Sequence, residues 1–227
     1  MSKTKQLMNM IKLERFIETL PENEKQSFFE KFIVEDEIEK KPKKVSSRKG
    51  SITTSNHIDY DKALNKGLSM LGTKNENFGF YIIVAIHTGL RIGDILNIKR
   101  RHFENDTYTF REQKTGKPKT IRFNKHITDY FLQLKNKSET PFKSNKGTTY
   151  TRQQINRKIK QAFKTKDKNY SSHSLRKSFG RKVYDDNEQS ENSLVLLSKL
   201  YNHSNLKVTR DYLDITQEIL EDIYMSI

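Results

Sequence analysis

The stretch from Phe78 to Ile86 carries no charged residue and is apolar nearly all round, and Gly89 follows shortly after it. Such a run predicts a helix buried in the middle of a domain rather than an amphipathic helix on its surface. The glycine is placed to end that helix. Arg91 therefore falls at a turn, and Ile92, Ile95, Leu96 and Ile98 anchor the helix that follows. A second apolar run, Leu194 to Leu200, supplies more core. These runs matter because only 33% of the 227 residues are hydrophobic, a fraction that without them would read as disorder. The length suits one full domain plus a small appendage.

Lys and Arg number 43 against 28 Asp and Glu, a formal charge of +15, so the natural partner is a polyanion. Between Arg157 and Lys182 the basic residues face a single acid, Asp167; Arg157, Lys158, Lys160, Lys177 and Arg181 are candidate contacts to a phosphate backbone. After Lys182 acids dominate, and that end is expected to face protein or solvent. The absence of cysteine excludes disulfides and thiolate metal sites and fits a reducing compartment. No apolar stretch approaches the roughly 20 residues that span a bilayer, and the basic start Met1-Ser2-Lys3-Thr4-Lys5 leads into no signal core. A cytoplasmic protein is expected, with no membrane partner.

Along the chain, residues 1–39 read as two short helices, with Pro21 in the first turn of the second. Residues 40–55 read as a linker whose Lys40, Lys41, Lys43, Lys44, Arg48 and Lys49 are unopposed by any acid between Lys40 and Gly50. It is either a solvated hinge or an arm lying along phosphates. Residues 56–227 form the main domain. Thr107 to Glu112 and Lys119 to Phe123 alternate around Thr115-Gly116-Lys117-Pro118 and predict a β-hairpin. The expected fold class is thus α+β, mainly α-helical, with a small β-hairpin or sheet, preceded by a short helical segment.

Four short motifs carry the chemistry. They are Thr88-Gly89-Leu90-Arg91-Ile92-Gly93-Asp94, His173-Ser174-Leu175-Arg176, Asn202-His203-Ser204 and Thr209-Arg210-Asp211-Tyr212. Two guanidinium forks match phosphate oxygens, two imidazoles can move protons, and a phenol can act as nucleophile. On the helix beginning near Ser172, His173 and Arg176 share one face while Leu175, Phe179 and Val183 share another. The six histidines are scattered without metal-site spacing, and the motif residues are mostly cations, which argues against a two-metal nuclease. No metal or cofactor is expected.

At these residues the chain resembles the tyrosine recombinase family, of the phage-integrase and chromosome-dimer-resolvase type; the placement of Tyr212 nine residues after His203 is the most specific part of the match. The resemblance covers roughly residues 56–227. It implies site-specific cutting and rejoining of duplex DNA through a 3′-phosphotyrosyl bond on Tyr212, without metal or ATP. Arg91 and Arg176 would hold the non-bridging oxygens, His173 would assist proton removal and His203 would hydrogen-bond the phosphate. The family's hairpin lysine, the acid for the departing 5′ oxygen, is best matched by Lys114, with Lys117 and Lys119 as rivals. Asp94 matches the acidic position that supports the first arginine. The implied assembly is a tetramer on paired DNA sites, in a nucleoid, phage or mobile-element setting, with an accessory DNA-binding protein as a further partner.

Two departures from the family pattern stand out. Tyr201-Asn202-His203 replaces the usual Leu-Gly-His, although asparagine tolerates the left-handed backbone a glycine would use. About fifty residues stand in place of the larger amino-terminal helical domain. The alternative reading is a non-catalytic DNA-binding regulator on a recombinase scaffold; a type IB topoisomerase fits the Thr-Gly-Leu-Arg and Lys-Thr-Gly wording less well. Past Tyr212, Asp214-Ile215-Thr216-Gln217 reads as a capped helix start. The stripe Ile219, Leu220 and Ile223 then packs either on its own domain or on a neighbouring protomer.

Overall fold

A computed structural model describes residues 55–165, 168–215 and 224–225. The expected amino-terminal helices, the basic linker up to residue 54 and the whole carboxyl-terminal stripe Ile219, Leu220 and Ile223 lie outside these residues. Among the described residues, helices α1 (Tyr60–Leu68), α2 (Glu76–Thr88), α3 (Ile92–Leu96) and α4 (Arg100–Glu104) come first. Strands β1 (Thr107–Arg111) and β2 (Pro118–Arg122) follow, then α5 (Lys125–Leu132), α6 (Arg152–Ala162), α7 (Ser172–Asp186), α8 (Glu191–Tyr201) and α9 (Leu206–Tyr212).

Helix α2 is the central element. Phe80, Ile82, Ile83, Val84 and Ile86 have no exposed surface, and α2 packs against α1, α3, α5 and α7. Its end follows the sequence: Gly89 takes φ +59° as the left-handed cap and its N–H donates to Ala85. Any Cβ at this glycine would also collide with the Phe179 ring. The chain can therefore turn sharply here and deliver Arg91 as the residue that caps α3.

The two strands pair antiparallel, with Thr107 opposite Arg122 and Arg111 opposite Pro118. This is the expected hairpin, closed by Gly116 at φ +70°. An aromatic cluster fastens it to the core: Phe103 stacks on Phe123 at 4.5 Å and on Phe131 at 5.0 Å, and meets Phe80 edge-on at 5.1 Å. Between α5 and α6, Asn136 donates to the carbonyls of Thr140 and Pro141 at 3.2 and 3.1 Å. That irregular segment seats Phe142, wholly buried, in the same cluster.

Helix α7 joins the two halves of the core. It touches α1 and α2 on one side and α8 on the other. Beyond it a second apolar cluster gathers Tyr184, Leu194, Leu197, Tyr201, Leu213 and Ile215. Gly180 permits this approach, since a Cβ there would lie 2.6 Å from Leu213 and 2.7 Å from the Tyr201 hydroxyl. Ser171 caps α7, Ser190 caps α8 and Asn205 caps α9 with their side chains.

One expectation is corrected here. Lys177, counted from the sequence among the phosphate contacts, is 4% exposed. Its ammonium donates to both carboxylate oxygens of Asp214 at 2.8 and 2.9 Å. The arithmetic of charge along α7 does not distinguish an outward lysine from one facing α9 and the turn after it. Asp214, at φ +63°, stands directly before Ile215, which is helical; Thr216 and Gln217, with the rest of the capped start read from the sequence, lie outside the described residues.

Candidate active site

Arg91, at the start of α3, extends its guanidinium across the end of α8. One Nη donates to the Tyr201 carbonyl at 2.8 Å and the other to Glu112 at 2.8 Å. Arg176, on α7, reaches the same place from the opposite side. It is 4% exposed, donates to the Gly89 carbonyl and, at 3.5 Å, to Tyr201, and lies 4.0 Å above the Tyr201 ring. The two arginines, 85 positions apart in the chain, thus share one carbonyl acceptor. A guanidinium stacked on a ring and pinned by carbonyls is held in one orientation.

His203 follows the left-handed cap of α8. Asn202 has φ 54° and ψ 47°, the conformation a glycine would supply, as the asparagine at this position leads one to expect. The His203 ring places Nδ1 2.9 Å from the Thr209 hydroxyl, which leaves its other nitrogen free of that contact. Tyr212, at the end of α9, lies edge-on to His203 at 5.2 Å and to Tyr201 at 5.5 Å. Its hydroxyl is buried and makes no hydrogen bond of normal geometry among the described residues. Burial raises its pKa to about 12, against the pull of the Arg176 and Arg91 charges toward ionisation.

A cleft of about 380 Å³ opens beside these groups, lined by Arg91, Lys114, Arg152, His173 and Arg176 among others. His173 stands at its exposed rim. Desolvation in the cleft and then the charges of Arg176, Lys114 and Arg91 hold its pKa below 6.5. Lys114 is exposed in the hairpin turn and faces the same space. Its rival Lys119 is committed elsewhere: its ammonium donates to the Leu200 carbonyl at 2.8 Å and sits 3.5 Å from Glu112. The structure therefore brings Arg91, Lys114, His173, Arg176, His203 and Tyr212 to one region.

Asp94 behaves differently from the sequence reading. It is 1% exposed, and one oxygen accepts from the backbone N–H of Gln113 at 3.1 Å while the other is buried without a partner. It anchors the hairpin and makes no ion pair with Arg91. The carboxylate that does so is Glu112. Its only sequence signal is an acid at the mouth of a lysine-rich turn, and its partners lie as far as 90 positions away. Tyr201 was likewise legible only as a departure from Leu-Gly-His. Among the proposed phosphate contacts on α6, Arg157 and Lys160 are exposed, whereas Lys158 is half-buried, bonded to Asn75 at 3.1 Å and packed over Phe78. Arg181 on α7 is half-buried. The described residues hold no group of three or more potential metal ligands, and no helix among them is long and apolar enough to cross a membrane.

His203 gives a pH dependence. Desolvation, followed by the charges of Arg176, Arg91 and Lys114, lowers its pKa to about 4. Between that value and 6.5 the unfolded chain takes up a proton that the folded chain refuses. The contribution to stability is thus complete above pH 6.5 and is lost as pH falls toward 4. Urea midpoints should fall between pH 7 and pH 5 by less in His203→Gln than in the wild type; equal falls in both would contradict this assignment.

The profile of the phage integrase family matches residues 62–218, and no curated protein sequence matches the chain. Among solved structures, the fold is similar to a XerA recombinase at 17% identity and TM-score 0.56, covering 75% of this chain and 64% of that one. It is similar to the XerH site-specific recombinase bound to palindromic difH substrate at 21% and 0.53, covering 78% and 55%. A lambda integrase dimer bound to a COC′ core site gives 16% and 0.55, covering 74% and 62%. The chain thus spans somewhat over half the length of these proteins. With its central buried helix, its hairpin and the motifs gathered around Tyr201, this chain belongs to the phage integrase family and carries the catalytic-domain fold of the tyrosine recombinases.

Proposed function

We propose that the protein is a site-specific DNA recombinase whose nucleophile is Tyr212. The observation that carries the reading is that both arginines, the His203 loop and Tyr212 meet at the Tyr201 carbonyl and ring, beside an open cationic cleft. In the reaction, Arg91 and Arg176 neutralise the non-bridging oxygens of one phosphate. The Tyr212 oxygen forms a bond to phosphorus as the bond to the 5′ oxygen breaks. His173 takes the phenolic proton, Lys114 supplies a proton to the 5′ oxygen, and the free nitrogen of His203 donates to the phosphate. The phosphotyrosyl ester conserves the bond energy, so reversal with a new 5′ hydroxyl rejoins strands without ATP. The hydroxyl buried in the free protein has to turn outward to reach a phosphate, and the added anion lowers the cost of bringing two guanidiniums together there.

Duplex DNA is the proposed substrate. Arg157 and Lys160, with Lys164 and Lys168, line an open groove of about 720 Å³ over Phe163 and Tyr170, a surface suited to a phosphate backbone. The basic segment up to Lys49 is proposed to lie along DNA as well. A tetramer on paired sites, an accessory DNA-binding partner and action in a nucleoid or mobile-element setting belong to the same proposal. Affinity for generic duplex DNA, followed by fluorescence anisotropy, should fall by about 10³-fold between 50 and 200 mM salt if six or more phosphates are contacted; a change under about threefold would contradict the basic-surface argument.

The buried Tyr212 hydroxyl is what favours a second reading, a regulator that holds DNA without cutting it. A library of nicked duplexes with a randomised core distinguishes the two. Cleavage next to the nick lets the short strand diffuse away and traps a denaturation-resistant protein–DNA adduct, whose sequence can be recovered. Adduct that depends on Tyr212 supports the recombinase; DNA retention with no adduct supports the regulator.

A further inference from the structure

Among the described residues, Glu112 is the acid paired with Arg91, and its surroundings are unusual. The side chain is 1% exposed. It accepts from Arg91 at 2.8 Å, from the Thr115 hydroxyl at 2.8 Å and from the Asn202 amide at 2.7 Å, with the Lys119 ammonium 3.5 Å away. These donors come from the α2–α3 turn, the hairpin turn, the loop ahead of His203 and β2. Burial by itself would raise its pKa, but the Thr115 hydrogen bond and the Arg91 charge hold it below the usual carboxylate range.

A buried carboxylate is costly unless fully paired, and an ion pair replaced by well-packed apolar groups is often no less stable. Stability alone therefore gives little reason for this arrangement. Geometry gives a better one. With one Nη held by Glu112 and the other by the Tyr201 carbonyl, the Arg91 guanidinium plane is fixed at two points. Arg91 lines the cleft and Glu112 does not, so the carboxylate lies behind the arginine and does not occupy the place of a phosphate. We infer that Glu112 is a positioning residue that aims Arg91 at the scissile phosphate, and that Thr115 and Asn202 set the aim by holding Glu112. The inference rests on the recombinase reading above.

The test compares two substrates built on the duplex recovered from the library, one with the natural phosphodiester at the scissile position and one with a methylphosphonate there. The methylphosphonate lacks the negative charge that Arg91 neutralises, so the aim of Arg91 matters little on it. On the phosphodiester, Glu112→Gln should form adduct about 100-fold more slowly than the wild type at saturating DNA, the scale of loss a misplaced catalytic group produces. DNA affinity should stay within about twofold, because one retained guanidinium among many phosphate contacts changes binding little. On the methylphosphonate the two proteins should agree within about threefold, since its transition state carries one negative charge fewer and Arg176 can serve the single non-bridging oxygen that remains.

Thr115→Val, at an exposed position, tests the same aim in a protein whose fold is not at risk. It should show a smaller deficit on the phosphodiester that is again relieved on the methylphosphonate. An equal deficit on both substrates, or none on the phosphodiester, overturns the inference and leaves the recombinase reading standing. Wild-type protein that yields no Tyr212-dependent adduct overturns both.

Discussion

Tyr212→Phe is expected to abolish the covalent adduct and every strand exchange while leaving DNA binding intact. The substitution removes one oxygen. In the free protein that oxygen is buried beside Arg176 and lacks a well-formed hydrogen bond among the described residues, so deleting it costs the fold little. The ring, which supports Tyr201 and His203 at 5.5 and 5.2 Å, remains. Thermal unfolding should therefore be little changed. Reactivity should fall to background, because the phenol packed against the Tyr212 ring is not free to substitute: the Tyr201 hydroxyl donates to the Arg176 carbonyl at 2.7 Å in the fully buried core. The measurement is adduct yield on denaturing gels with circular dichroism alongside. Adduct surviving in Tyr212→Phe would give the nucleophile's role to another residue.

The second large effect is expected at Arg176. Arg176→Lys keeps a positive charge but loses the planar fork, so it cannot at once stack on Tyr201 and donate to the Gly89 and Tyr201 carbonyls. Losing one preorganised donor to a developing charge should slow adduct formation by about 10² to 10³-fold. Stability should fall by about 1 to 2 kcal/mol, the combined scale of a lost cation–π contact and a lost hydrogen bond. Single-turnover rates on the recovered nicked duplex and urea midpoints measure the two quantities separately. A lysine variant within about threefold of the wild-type rate would mean that only net charge is needed there, and would contradict the role of a geometrically fixed fork.

Much of this was legible in the sequence because the determinants are local. The apolar run of α2, the left-handed Gly89 and the alternation about Gly116 each dictate structure within a few residues. The spacing of His173 and Arg176 and the asparagine before His203 do the same. What escaped the sequence depends on contacts between distant segments. Lys177 reads as one more cation in a basic stretch, yet Asp214 turns it into a buried ion pair. Lys158 reads the same way, yet Asn75 and Phe78 occupy it. Asp94 stands at the family's acidic position three residues after Arg91, but it accepts from the Gln113 N–H instead. Nothing adjacent in the chain indicates that Arg91 and Asn202 converge on Glu112. The irregular segment that seats Phe142 has no periodicity to read; hydrogen bonds from Asn136 organise it.

In the proposed reaction two guanidiniums, two imidazoles and a lysine serve one phenol. Protease digestion of the trapped adduct followed by tandem mass spectrometry tests it most directly, because it identifies both the amino acid and the end of the DNA that are joined. The expected product is a 3′-phosphate esterified to Tyr212 and to no other of the ten tyrosines. A nucleotide on a different residue, or attachment through a 5′-phosphate, would contradict it.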